Sequence, residues 1–318
     1  MDEAEAEART SAAARMAGDG NTALAAAQRC LQLRQAALGE RHADTAAAYG
    51  LVGAAERQRG SLAEALAADW RALEIYRDVL GDSHADTATA RGNLSATHRA
   101  RGEHAEALLH AEAALDGLQA ACGRDDLRTG LAWGNLAAVR RARGEHREAI
   151  ASGRELLRIR RAVLGDRHAD TAVGHSTLGS LLAAAGDHAA AAASEAAALE
   201  IREALGEARA SLESLTNLAT IYRNLGDAER SLEFQQRALA SQRTLLGEAD
   251  PATSRSRLYV AYTLLRLGRR VEAARLVEEG LRHDPKHVEL RQMQQQVAGA
   301  PAPGFRAPPK RPRGRGKR

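Results

Sequence analysis

Aromatic residues are nearly missing from this chain, at 3% of its 318 residues. A core without rings must be filled by Ala and Leu through many close contacts, and both stand at the top of the helix-propensity order. The composition therefore points to an all-α protein. Cysteine is scarce too: Cys30 and Cys122 stand alone. Two cysteines supply no disulfide framework, and buried free thiols are the expected state. Lysine occurs only at Lys286, Lys310 and Lys317, against 42 arginines. With so much Ala and so little Ile, that bias reads as GC-rich coding, so arginine abundance alone is poor evidence for nucleic-acid binding. Long apolar runs are lacking. The most apolar stretch, Leu178 to Leu199, is mostly Ala and is interrupted by Gly186, Asp187, His188 and Glu195, so no membrane span is expected. Met1 to Arg9 is acidic with no apolar run, so no signal peptide is expected and the expected location is cytoplasmic.

The formal charge of +4 hides an asymmetry. Arg306, Lys310, Arg311, Arg313, Arg315, Lys317 and Arg318 put +7 at the end of the chain with no acid among them, leaving 4 − 7 = −3 for the rest. Five of the seven prolines fall in the same stretch, residues 298–318. It has no apolar period and is expected to be a disordered Pro/Arg-rich tail.

What the chain has is a repeat. Gly18, Gly60, Gly102, Gly144, Gly186, Gly226 and Gly268 are spaced by 42, 42, 42, 42, 40 and 42 residues. A second series, Gly39, Gly81, Gly123, Gly165, Gly206 and Gly247, lies half a period away. Five residues after each glycine of the first series comes a small residue: Ala23, Ala65, Ala107, Ala149, Ala191, Ser231 and Ala273. Seven further on stand Cys30, Ala72, Ala114, Leu156, Ala198, Ala238 and Gly280. One supersecondary unit repeated seven times is the reading that fits this register.

Within a unit, Asp44-Thr45 offers an N-cap for a helix that runs to about Gln58. Gly60 ends it, because glycine takes a left-handed turn at little cost. A second helix starts at Ser61 or Leu62 and carries the apolar stripe Leu66, Leu73, Tyr76, Leu80 as far as Gly81. That is an αα-hairpin. The link recurs as Gly39-Glu-Arg-His-Ala-Asp-Thr45, Gly81-Asp-Ser-His-Ala-Asp-Thr87 and Gly165-Asp-Arg-His-Ala-Asp-Thr171. It degrades after Gly123 and Gly247 and is lost after Gly206, where the spacing is one residue short on each side. One residue is about 100° of helix rotation, so irregular stacking is expected between Ile201 and Leu215. Pro285 ends the last unit early, and the polar segment from about Lys286 to Val297 reads as a terminal capping helix.

The helix runs Asn93–Leu108, Asn135–Ile150 and Asn217–Leu232, with the "LGxxHxDTA" link, resemble the tetratricopeptide repeat, in the 42-residue form found in kinesin light chains. The resemblance covers about residues 4–297. It implies an all-α, right-handed α-solenoid of seven repeats over residues 1–297 with a C-terminal capping helix. The link departs from the family in placing Ala43, Ala85 and Ala169 where Pro is usual. No heptad pattern precedes the first repeat, so a motor subunit is not expected.

The resemblance also implies that the first helix of each unit lines a concave groove. Asn93, Asn135 and Asn217 then face it, as do Arg57, Arg99, Arg141 and Arg223, while Gly50, Gly92 and Gly134 keep it open. Asparagine amides can both donate to and accept from a peptide backbone, and arginines pair with carboxylates bidentately. A mid-helix glycine costs about 1 kcal/mol relative to Ala, so three in register need a reason. The alternatives are a solvated arginine face and glycines that serve helix packing. Trp133 and Tyr49 share a position expected to pack in the core.

Catalysis is not expected. No Gly-x-Ser-x-Gly elbow and no strand to carry one is present, nor a Gly-rich phosphate loop with Lys-Ser/Thr. His42, His84 and His168 recur once per repeat, so they cannot converge on the three or four ligands that zinc needs. Backbone bonding within the link is their expected role, and no cofactor or metal is expected. The expected function is a protein- or peptide-binding scaffold whose groove takes an acidic extended segment. The alternative is an adaptor that contacts nucleic acid or another polyanion through Lys310, Arg311, Arg313, Arg315, Lys317 and Arg318.

Overall fold

The computed structural model describes residues 2–298, and the tail residues from 299 onward lie outside them. The described residues form fifteen helices and no strand. Fourteen make seven consecutive pairs: α1 (Asp2–Met16) with α2 (Gly20–Leu38), α3 (Ala43–Arg59) with α4 (Leu62–Leu80), α5 (Ala85–Ala100) with α6 (His104–Cys122), α7 (Leu127–Ala142) with α8 (His146–Leu164), α9 (Ala169–Ala184) with α10 (His188–Ala204), α11 (Ala208–Leu225) with α12 (Ala228–Leu246), and α13 (Pro251–Arg266) with α14 (Arg270–His283). The fifteenth, α15 (Val288–Ala298), packs on α13 and α14. The chain divides into two compact units, Met1–Leu205 and Gly206–Arg318. The division falls inside the stretch where the repeat spacing is short.

Each glycine of the two series has a positive φ, between 72° and 93°. They do two different jobs. At the end of α3, Gly60 donates to Arg57 O at 3.2 Å and Ser61 to Glu56 O at 3.0 Å. That paired closure satisfies carbonyls the helix would leave open, and it needs a left-handed residue where an L side chain is strained. Gly102, Gly144, Gly186, Gly226 and Gly268 close their helices with the same pair of bonds. The second series leads the chain out of the second helix into the link.

The link holds itself by a bond that recurs wherever its threonine is kept. Thr45 Oγ1 donates to Gly39 O at 2.8 Å, Thr87 to Gly81 at 2.7 Å, Thr129 to Gly123 at 2.8 Å, Thr171 to Gly165 at 2.7 Å and Thr253 to Gly247 at 2.8 Å. The residue that caps the next helix is not Asp44, as expected from sequence, but His42. Its Nδ1 accepts from the Asp44 amide at 3.1 Å, and His84 and His168 do the same for Asp86 and Asp170. Asp44 sits inside the first turn, where its charge meets the positive end of the helix dipole. In the degraded links an aspartate does the capping: Asp126 accepts from the Arg128 amide and Asp250 from the Ala252 amide, both at 2.8 Å.

Packing follows the small residues. Ala23, Ala65, Ala107, Ala149, Ala191, Ser231 and Ala273 are 1% exposed or less. A larger side chain at these buried positions would overpack the contact between the two helices of a pair. Cys30 is fully buried, while Cys122 is half-buried rather than buried as expected. Trp133 packs against the cluster around Leu115, Leu118 and Leu136. Tyr49 is half-buried, with its hydroxyl accepting from Gln35 Nε2 at 3.2 Å.

Candidate functional site

In the first unit α1, α3, α5, α7 and α9 lie side by side, each in contact with the next first helix. Arg15, Arg57, Arg99 and Arg141 each stand three residues before a turn glycine, one per helix. They sense one another. The Arg99 guanidinium is held below its ordinary value by burial first, then by Arg141 and Arg57. Arg15 is lowered by burial and by Arg57. A half-buried arginine with a like charge on either side favours any anion that can reach it.

The four arginines are not equivalent. Arg57 is engaged: its Nη1 donates to Asp69 Oδ2 at 3.0 Å and to Thr97 Oγ1 at 2.6 Å. Thr97 Oγ1 in turn donates to Asp69 Oδ2 at 2.5 Å. Asp69 is fully buried, and burial raises its carboxyl above the ordinary range even though Arg57 and the Thr97 bond pull the other way. Arg99, half-buried, and Arg141, exposed, have no hydrogen-bond or ion-pair partner among the described residues. The free cations of this row are thus Arg15, Arg99 and Arg141, and of these Arg99 and Arg141 stand next to each other.

Asn93 and Asn135 belong to the same row. A Cβ on Gly50 would stand 3.4 Å from Asn93 Nδ2, and one on Gly92 would stand 3.4 Å from Asn135 Nδ2. Each glycine therefore receives the asparagine of the following repeat. Gly134 faces Leu156 instead, whose Cδ2 would be 3.3 Å from an added Cβ. Neither asparagine amide is hydrogen-bonded among the described residues, so both retain donors and an acceptor for a ligand.

The second unit contributes its own candidates. Asn217 and Arg223 are exposed on α11. Arg223 lines a cleft of about 280 Å³ with Thr216, Thr220, Gln235, Ser256 and Tyr259. The candidate polyanion contacts Lys310, Arg311, Arg313, Arg315, Lys317 and Arg318 lie outside the described residues.

Asp69, Thr97 and Gly53 were not singled out from sequence. Their signal is visible once the repeats are aligned. Ala27, Ala111 and Gly153 share the column of Asp69, Ala55, Val139 and Leu181 that of Thr97, and Ser11, Ser95 and Ala137 that of Gly53. Three departures at one place mark a built polar contact. Among the described residues no three His, Cys, Asp or Glu side chains are grouped to hold a metal ion. No helix there is long and apolar enough to cross a membrane.

The profile of the tetratricopeptide repeat matches residues 3–78, 45–120, 128–204 and 210–286. The chain belongs to the tetratricopeptide-repeat family, whose fold is a general scaffold for protein interaction. Among solved structures it is similar to BtubC (BKLC) from P. vanneervenii, with 17% identity, a TM-score of 0.59, and 77% of this chain and 92% of that chain covered. It is also similar to repeats of a putative kinesin light chain from Podosopora anserina, with 19% identity, a TM-score of 0.55, and 67% and 97% covered. The apo form of RapI aligns with a TM-score of 0.69 at 11% identity, over 93% of this chain and 82% of that one. At these identities the likeness is one of fold. A comparison with curated proteins finds no match.

Proposed function

We propose that the row of first helices in the first unit is a peptide-binding groove for an extended, acidic segment of a partner protein. The observation that carries this reading is the pair Arg99 and Arg141. They are neighbours, they carry like charge, and neither has an anion of its own. An acidic side chain from a partner relieves that repulsion and gains charge-assisted hydrogen bonds. Asn93 and Asn135, on the same two helices, supply amides for the partner's backbone.

The test is charge reversal. Arg99→Glu with Arg141→Glu weakens binding of an acidic peptide at least tenfold, with the thermal midpoint unchanged within a few degrees, since neither side chain holds a structural contact. Wild-type affinity in the double variant overturns the proposal. Loss of fold in that variant would make both arginines structural and overturn it as well.

A further inference from the structure

Asp69 is a carboxylate placed beneath a row of arginines, and what it holds is one of them. Its Oδ2 takes Arg57 at 3.0 Å and Thr97 at 2.5 Å. Gly53 leaves the room: a Cβ there would collide with Asp69 Oδ1 and stand 3.0 Å from its Cγ. Asp69 lies nine residues after its turn glycine. At the same place in the next two repeats are Ala111 and Gly153, which carry no charge. Arg99 and Arg141, the arginines of those two repeats, are left without a partner, as is Arg15, whose repeat has Ala27 at that place. The residue on the second helix therefore decides whether the arginine on the first helix is already occupied.

We propose that Asp69 is a built-in occupant of the groove's anion-binding row, a specificity-determining residue that blocks Arg57 and makes the acidic segment register on Arg99 and Arg141. This deepens the reading of the groove as an acid-binding site and rests on it. The physical reasoning is competition. An intramolecular carboxylate, buried and held by a threonine, is present at an effective concentration no free peptide matches. It needs no further ordering, so a partner's acid gains nothing by reaching for Arg57. Thr97 belongs to this device, because its hydroxyl donates to Asp69 Oδ2 and accepts from Arg57 Nη1. So does Gly53, without which the carboxylate does not fit. The consequence is an end to the site: acids beyond the two that face Arg99 and Arg141 find no cation toward the N-terminal repeats until Arg15.

The experiment uses the full chain and two fluorescently labelled oligoglutamates. One is just long enough to face Arg99 and Arg141, and the other is extended at both ends by one repeat spacing. Asp69→Asn keeps the shape and the threonine bond but removes the negative charge that neutralises Arg57. It raises the ratio of long-probe to short-probe affinity about threefold to fivefold, the contribution of one additional solvent-facing ion pair. The reverse transplant, Ala111→Asp with Ser95→Gly and Val139→Thr, builds the same trap around Arg99. It lowers short-probe affinity as far as Arg99→Ala does. An unchanged ratio in Asp69→Asn, or unchanged short-probe binding in the transplant, overturns the proposal. If Asp69→Asn does not fold, the transplant decides. Failure of this inference leaves the Arg99→Glu, Arg141→Glu variant still defective in binding. Failure of the groove reading leaves that variant binding normally, or the wild type binding neither probe, and the role of Asp69 falls with it.

Discussion

Gly53 on α3 and Asp69 on α4 fit each other as a gap and its filling. A methyl group at position 53 would land on Asp69 Oδ1, and no other residue type leaves that space within a helix. The same pairing recurs at the end of the first unit, where Gly179 faces the buried Glu195, whose Oε1 accepts from Ser176 Oγ at 3.0 Å. Where the second helix carries Ala at this place, at Ala27 and Ala111, the first helix carries Ser instead, at Ser11 and Ser95.

This relationship gives a mutant cycle. Gly53→Ala overpacks the contact and destabilises by about 1–3 kcal/mol, the usual cost of an inserted group in a packed interface, less about 1 kcal/mol gained from helix propensity. Adding Asp69→Ala removes the clash, and the double variant melts above Gly53→Ala. Chemical denaturation of the four proteins measures the coupling. Additive changes would show that the two residues do not meet.

The pH dependence of Asp69 has a defined sign. Burial raises its carboxyl above the ordinary aspartate value of 3.8, so the folded state holds this proton more tightly than the unfolded chain does. Its contribution to stability is therefore fully present below the unfolded value and is lost as pH rises through the raised folded value. Asp69→Asn, which carries no charge at any pH, is then at least as stable as wild type at neutral pH. Its advantage shrinks as the solution is acidified toward 3.8. Melting curves of the two proteins across that range, compared as a difference, isolate this group. An advantage that grows on acidification contradicts the assignment.

The link histidines are caps, and their replacement should follow capping rules. His84→Ala loses the acceptor for the Asp86 amide and costs about 1 kcal/mol. His84→Asp keeps it, as Asp126 and Asp250 do at the equivalent place in other repeats, and adds a negative charge at a helix N-terminus worth about 0.3–1 kcal/mol. The expected order of thermal midpoints is Asp, then wild type, then Ala. A wild-type midpoint in the Ala variant would show that the ring nitrogen caps nothing.

The C-terminal stretch is tested by truncation. Removing residues 298–318 takes away +7 of charge and five prolines but no repeat glycine. The thermal midpoint is expected to stay unchanged, and any binding to RNA, DNA or anionic lipid to disappear. Such binding in the full chain should be screened by salt, since the Debye length is about 8 Å at physiological ionic strength. Equal polyanion binding by the truncated chain would place the contact on the repeats instead.

The fold was legible in the sequence because its determinants are local and repeated. A left-handed turn selects glycine at fixed intervals, and a close helix crossing selects Ala five residues later. A link that bonds its own threonine to its own glycine must keep both. Any one of these signals is weak, and seven copies in register are not. The identity of the cap was misread, since Asp44 and His42 are both reasonable acceptors and only the backbone path decides which faces the free amide. The state of the arginine row lay beyond single-column reading. Arg57, Arg99 and Arg141 are one residue type in one register, yet Asp69, Thr97 and Gly53 come from three other columns and two repeats. What the sequence by itself determined was the helix pairs, their turns and which positions must be small, because those follow from the chain's own backbone geometry. What only the tertiary structure decided was which arginines are free. Burial and charge pairing depend on side chains that meet across helices, and their meeting is a property of the packed unit rather than of any segment.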